Sequence, residues 1–446
     1  MTRPHLIFGS CSLQEHAIPT LRVAAAMAER GYDITILIND GYKALVDKLG
    51  GKFVSIPSVD DLLTEPERLN LPEGPVRASW DLLNIFIGSM PARYAILKET
   101  LVQVNKRAPS TPIVIIVEPG FLGANPLWFN ANILNNLLTV TPKVLGLGIS
   151  CYPGYSADLA PYMLVLPPDG TESGRLRNDA LHQLVSHGPM APALARYKKG
   201  LNELGVLNLA PFRTMGDAIL ACQQRVLMLH PASIDYPMSD LPARVKFVGA
   251  LPPQPLPSDF RYPSWWSKVM ASGKKIIMVT QGTVDLDYEN LIIPTFKALA
   301  TRTDVIVVAI LGKYGAQLPP GVSSQVPVNT YVVDYLLYSA LLPHAALCIM
   351  NASWGGMMQV MSFGVPMILA GRTEDKPEAL ARANWLGFGI GLNAVQPVIQ
   401  QIATAVDLVF SDGKFKSKIR DIQLENEALR PFDRIENEIL DLANSD

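Results

Sequence analysis

The chain has 446 residues, too many for one ordinary core, and its 49% hydrophobic and 17% charged content excludes a disordered protein. A formal net charge of −2 gives no general attraction for nucleic acid or anionic lipid, so small neutral partners are expected. The four cysteines, Cys11, Cys151, Cys222 and Cys348, lie far apart without CxxC spacing, which argues against a disulfide framework or zinc site and for a reduced, cytoplasmic protein.

The N-terminal MTRPHLIFGSCSLQEH runs directly into strand-like sequence, with neither the apolar core nor the cleavage site of a secretory signal. Leu6-Ile7-Phe8 predicts the first strand, residues 19–30 a helix closed by Gly31, and residues 34–38 the second strand. The loop GSCSLQEHAIP between them carries His16. SWDLLNIFIGSMPARY, residues 79–94, has an aromatic and methionine face that periodicity assigns to helix core. Residues 112–117 and 144–149 repeat the strand pattern, and the first of these runs ends at Glu118. Strand and helix thus alternate, as in parallel sheets covered on both faces.

The Pro-rich VGALPPQPLPSDFRYPSWW predicts an interdomain linker, residues 241–272, between a first domain at 1–240 and a second at 273–414. Strand patterns resume at residues 276–279 and 305–310. The charged segment at residues 415–446 either caps the second domain or crosses back to the first. No apolar run reaches the roughly 18 residues of a membrane span.

Residues 348–392 are the most informative stretch: strand, small-residue turn, helix, strand, then a polar loop opening another helix. Asn351-Ala352-Ser353 ends the first strand, and Gly355-Gly356 let a ligand approach the free N–H groups of the following helix. A diphosphate could sit there without a metal. The NASWGG turn, the FGVP strand entry and AGRTEDKPE resemble the nucleotide-sugar motif of family-1 glycosyltransferases, nearest to their fungal and macrolide-modifying branch. The resemblance extends over nearly the whole chain. It implies an α/β protein of GT-B architecture, two Rossmann-like domains facing across an interdomain cleft, with the final helical segment crossing back.

The resemblance also implies roles for individual residues. His16 falls where the family has Gly-His-x-x-Pro, with Glu15 in place of the glycine, and would be the base that removes the acceptor proton. Glu118 would hold the imidazole in one tautomer. Gln281-Gly282-Thr283 and the turn Asn351, Ala352, Ser353, Trp354, Gly355 and Gly356 would receive the departing diphosphate. Leu336 and Leu337 would hold the uracil edge, Leu337 replacing the usual proline, and Gln359 the ribose. Asp375 and Lys376 would contact the donor sugar. Asp158 and Tyr162, in ISCYPGYSADLAPYMLVLPP, and Trp80 would face an apolar, hydroxylated acceptor. His5, His182, His187, His230 and His344 have no comparable context and are expected to be structural or at the surface.

The expected reaction is an inverting, metal-independent transfer of a hexose, glucose first, from a UDP-sugar to a hydroxyl of a small apolar molecule. No cofactor, nucleic acid or membrane is expected, and the chain is expected to be a monomer or weak homodimer. The altered residues at 15, 337, 352 and 353 keep open a catalytically inactive nucleotide-sugar-binding protein or an auxiliary partner of an active transferase. A nucleotide-sugar epimerase is a third, weaker reading.

Overall fold

The structure, a computed structural model, describes residues 3–129, 136–207, 209, 211–283 and 285–445. The chain forms two compact units: Met1–Leu251 with Leu429–Asp446, and Pro252–Ala428.

In the first unit the apolar runs become strands because each is flanked by a helix that covers it. β1 (His5–Gly9), β2 (Ile34–Ile38), β3 (Lys52–Ser55), β4 (Ile113–Val117), β5 (Lys143–Gly148), β6 (Arg225–Met228) and β7 (Val245–Phe247) form one parallel sheet in the order β3-β2-β1-β4-β5-β6-β7. Every residue of β1, β2 and β4 is buried, as parallel strands covered on both faces require. The period of two divides the side chains between two cores. Leu6, Phe8, Ile34, Ile36, Val114 and Ile116 meet Leu21, Ala24 and Met27 of the helix Gln14–Glu29. Ile7, Leu37, Ile113, Ile115 and Val117 meet Leu97, Leu101 and Val104 of the helix Met90–Arg107.

The second unit repeats the scheme. β8 (Lys275–Thr280), β9 (Val305–Ile310), β10 (Thr330–Val333), β11 (Ala345–Met350), β12 (Met367–Leu369) and β13 (Gly389–Gly391) form a parallel sheet in the order β10-β9-β8-β11-β12-β13. Ile277, Val279, Val305, Val307, Leu347 and Ile349 pack with Phe296 of the helix Ile292–Ala298 and with Ile402 and Val406 of the helix Ile399–Ser411. In each sheet the strand order reverses once, between β1 and β4 and between β8 and β11. Loops at the carboxyl ends of the strands diverge at such a point and leave a crevice.

Three local features differ from the periodicity reading. The first helix begins at Gln14, before Pro19, so His16 lies in its first turn and not in the preceding loop. Glu15 is a better helix former than glycine and its charge suits the N-terminal end of the helix dipole. Residues 245–247, inside the Pro-rich passage, pair with β6 as the last strand of the first sheet. The charged C-terminal segment is two helices, Lys414–Leu429 and Pro431–Asn444, broken at Arg430, whose φ is 46°, and at Pro431, which cannot continue a helix.

The last helix belongs to the first unit. Ile435, Ile439 and Leu442 enter the core beside Leu145, Leu147 and Leu227. Outside that apolar stripe Arg30 bonds to Glu436 and Asp433, and both carboxylate oxygens of Glu438 accept from Lys246 at 2.6 and 2.7 Å. These ion pairs are partly exposed and contribute little each, whereas full burial of three aliphatic side chains is worth about 1.5–3 kcal/mol apiece. Ile439→Ala should therefore destabilise the first unit by about 2–5 kcal/mol in chemical denaturation, and Glu438→Gln by less than about 1 kcal/mol.

Ala352 carries the clearest backbone strain in the second unit. It sits just past β11, fully buried, with φ at 61°, where an L side chain costs about 1–2 kcal/mol over glycine. Ala352→Gly removes that strain at the expense of a more flexible unfolded chain. A net gain of up to about 1 kcal/mol, read as a rise in melting temperature of about 2–4 °C, is expected.

Candidate functional site

His16 and Glu118 meet at the strand-order reversal of the first sheet. His16 follows β1 by one turn of helix, Glu118 is the first residue beyond β4, and these two strands are hydrogen-bonded neighbours. Nδ1 of His16 bonds to Oε2 of Glu118. A ring N–H directed at a carboxylate leaves the lone pair on Nε2. The glutamate side chain is therefore long enough to reach its histidine. His16 is 20% exposed at the side chain and Glu118 is wholly buried.

Burying that carboxylate requires partners, and the local chain supplies them. Oε1 accepts from the backbone N–H of Cys11 at 2.8 Å and Oε2 from that of Gly120 at 2.6 Å. Burial pushes the Glu118 carboxyl up, but the His16 ring and the two N–H donors outweigh it and hold it below its ordinary value. Burial likewise pulls the His16 ring down, yet Cys11 and Glu118 raise it well above 6.5. Burial and Glu118 push the Cys11 thiol itself up, so the carboxylate is the charge that holds the imidazolium.

Three neighbours complete this centre. Arg93, fully buried, donates from Nη1 to the carbonyl of Gly120 at 2.6 Å; its Nε and Nη2 have no hydrogen-bond partner among the described residues. Phe86 lies 5.7 Å from the His16 ring, centroid to centroid. It is carried by residues 82–87, a single stretch wound as a π-helix, a form concentrated at functional sites. Cys11 contributes a sulfur to a group in which one potential metal-ligating atom from each of Cys11, His16 and Glu118 lies within 4.8 Å of the others. Sequence separation concealed this cluster. The pairing of β1 with β4 brings the three residues together.

In the second unit the predicted phosphate residues flank the other reversal. Gln281-Gly282-Thr283 follows β8 and Asn351–Gly356 follows β11. The Asn351 side-chain amide donates to the carbonyl of Gln281, joining the two turns. Gln281 is buried with its own side chain committed to structure: Nε2 donates to the carbonyl of Asp287, and Oε1 accepts from the N–H groups of Leu291 and Ile292. Its carbonyl is taken by the Asn351 amide as well. Thr283 is exposed. The helix Trp354–Ser362 starts after Ser353 with no side-chain cap, and Gly355 and Gln359, one turn apart, are exposed on it while Trp354 is buried.

The donor-sugar segment approaches the same turn. A Cβ on Gly371, whose φ is 138°, would stand 3.0 Å from the Asn351 carbonyl oxygen and 2.8 Å from the Lys376 Cδ. Asp375 precedes the helix Lys376–Leu386. The Lys376 ammonium bonds to Glu374 and, at 2.5 Å, to the Thr373 hydroxyl. Leu336 is buried, and Leu337 starts the helix Tyr338–Leu341 with φ −63°, the angle a proline ring would impose. Replacing proline there has kept the backbone shape. Beside Leu336 the rings of Tyr335 and Tyr314 stack at 4.2 Å, and Tyr314 is 77% exposed. This tilted aromatic pair went unnoticed because two tyrosines 21 positions apart carry no motif.

One of the three acceptor candidates is committed to structure. The Asp158 carboxylate is consumed by Arg175 at 2.9 Å and by the Ser239 N–H at 2.7 Å, and it is buried, so it latches loops together and does not face an acceptor. Tyr162 and Trp80 are half-buried in separate segments. Tyr162 is followed by Met163 and Val165, both with positive φ, a conformation that surrounding structure must impose. The other histidines behave as expected: His5 bonds to Asp33 and Thr35, His182 to the Leu159 carbonyl, His230 to the Pro231 carbonyl, His344 packs on Trp266, and His187 is exposed. All four cysteines are free and buried, and among the described residues no helix is long and apolar enough to cross a membrane.

No protein-family model matches the chain. It is 38% identical to UDP-glucosyltransferase 1 of Beauveria bassiana (strain ARSEF 2860), over 97% of this chain and 94% of that protein. It is 32% identical to UDP-glucosyltransferase B1 of Starmerella bombicola, over 99% of both. Among solved structures, the kitacinnamycin glycosyltransferase superposes with a TM-score of 0.74 at 17% identity, over 99% of this chain and 100% of that one, which establishes the same two-sheet GT-B fold. Identity of this extent along the full length, on this fold, places the chain in the UDP-glycosyltransferase family, as a glycosyl-transferring enzyme related to the fungal and microbial members.

Proposed function

We propose that this enzyme transfers a hexose, glucose first, from a UDP-sugar to a hydroxyl of a small apolar molecule, with inversion and without a metal. The observation that carries the reading is the hydrogen bond from the His16 imidazole to the buried Glu118 carboxylate, which leaves Nε2 as a base. The two relatives, each named a UDP-glucosyltransferase, support the donor.

In the reaction the acceptor hydroxyl attacks the anomeric carbon on the face opposite the diphosphate. As the new C–O bond forms, the hydroxyl proton passes to His16 Nε2, and the bond from the anomeric carbon to the diphosphate oxygen breaks with its electron pair leaving on UDP. Glu118 stabilises the imidazolium that results. The Gly282 and Thr283 main chain and the first turn of the helix Trp354–Ser362 would meet the negative charge that develops on the leaving group. The uracil would lie along the main chain at Leu336 and Leu337 with the Tyr335 and Tyr314 rings as its stacking surface, the ribose at Gln359, and the sugar at Asp375 and Lys376. The last two and Thr283 are the natural targets for donor-selectivity variants.

His16→Ala should lower the rate of transfer to an alcohol acceptor by about 10²–10⁴-fold, measured by mass spectrometry of the glycoside with UDP-glucose and a mixed aglycone set. Undiminished transfer would remove His16 from the mechanism. Inversion is read from the anomeric proton coupling of the product.

The pH profile tests Glu118. Only neutral imidazole accepts a proton, so kcat/KM should fall tenfold per pH unit below the His16 pKa, which the carboxylate raises above 6.5. Glu118→Gln deletes the buried charge; burial then pulls the imidazole down, and the acid limb should move to lower pH while the plateau rate drops about 10²–10⁴-fold. An unmoved acid limb would mean that Glu118 does not act through His16.

A further inference from the structure

Cys11, His16 and Glu118 offer a thiol sulfur, an imidazole nitrogen and a carboxylate oxygen within 4.8 Å of one another. Sulfur, imidazole and carboxylate are the three ligand types that zinc takes in proteins, and three protein ligands leave a fourth position for water. We propose that this cluster is an inhibitory zinc site, in which the ion occupies His16 Nδ1 and switches the imidazole off as a base. The metal-binding half stands on the cluster alone; the inhibitory half rests on the reading of His16 as the base.

The geometry restricts how the ion enters. Cys11 and Glu118 are buried, and His16 alone of the three is partly exposed, so entry is over the imidazole. Glu118 Oε1 keeps its bond from the Cys11 N–H, while Oε2 and His16 Nδ1 part to admit the ion in place of the proton they share. A metal on Nδ1 leaves the ring proton on Nε2, the atom that must receive the acceptor proton.

Charge balance favours the exchange. With the imidazole protonated and the thiol neutral, Arg93, Glu118 and His16 carry +1, −1 and +1. With zinc bound, Arg93, Glu118, the Cys11 thiolate and the ion carry +1, −1, −1 and +2. Both sums are +1, so one divalent ion replaces two protons and the buried region gains no net charge. Tyr42, which also feels Cys11, stays neutral because burial, Asp60 and Glu15 push its phenol up to about 12. Magnesium prefers oxygen and holds its water, so it should not compete for this donor set.

The intact protein is titrated with Zn²⁺ by calorimetry in two buffers of different ionisation enthalpy, and with Co²⁺ by absorption. Expected are one ion per chain, release of two protons below the imidazole pKa, a thiolate-to-cobalt charge-transfer band, and loss of transfer that a chelator reverses. Mg²⁺ at the same concentration should have no effect. Cys11→Ser, or Cys11→Ala where the serine variant does not fold, should abolish the band and weaken Zn²⁺ binding by about 100-fold or more, exceeding the loss of an outer-shell partner. No binding by the parent, or equal binding by the Cys11 variants, overturns the site and leaves the His16 reading intact. Binding with the charge-transfer band but with undiminished transfer overturns the inhibitory role and counts against His16 as the base.

Discussion

The ionised carboxylate of Glu118, with no exposed side-chain surface, sets the terms for the loops around it in the first unit. Taking such a charge out of water costs several kcal/mol unless donors and an opposite charge replace the lost hydration. The surrounding residues meet that demand together: the main-chain N–H groups of Cys11 and Gly120, the His16 ring, and Arg93, which donates to the carbonyl of Gly120, the residue whose own N–H donates to the acid. Removing any of them leaves a buried charge short of a partner, so structural and chemical roles coincide there.

The same arrangement explains why the His16–Glu118 pair stands beside the sheet reversal. Parallel strands end with their loops on one side, and only where the order reverses do two neighbouring loops part. β1 and β4 bring Cys11 and the helical turn that carries His16 against Glu118; β8 and β11 do the same for the two small-residue turns of the second unit. In the second unit an uncharged contact, the Asn351 amide on the Gln281 carbonyl, joins the two turns. Gln281 illustrates the division of labour, since its side chain caps a helix while its main chain lines the turn.

The departures from the family pattern become intelligible in backbone terms. Leu337 holds the φ of the proline it replaces, and Glu15 extends a helix that glycine would have weakened. Ala352 is different. It adopts the left-handed conformation that glycine adopts freely, so the backbone shape is kept at the cost of strain.

Much of the fold was legible in sequence because hydrophobic period is a local property: β1, β2, β4 and β5 and the small-residue turn after β11 all follow from runs of a few residues. The helix start at Gln14 was not, since Pro19 imitates a helix beginning. Nor was β7, three residues long and defined by its pairing with β6. For the site, the sequence determined the types of residue and the strands they follow, His16 after β1 and Glu118 after β4. Tertiary structure alone decided that these two meet, that Cys11, Phe86 and Arg93 surround them, and that Asp158 is spent on a loop latch, because contact across the sheet depends on strand order and not on distance along the chain.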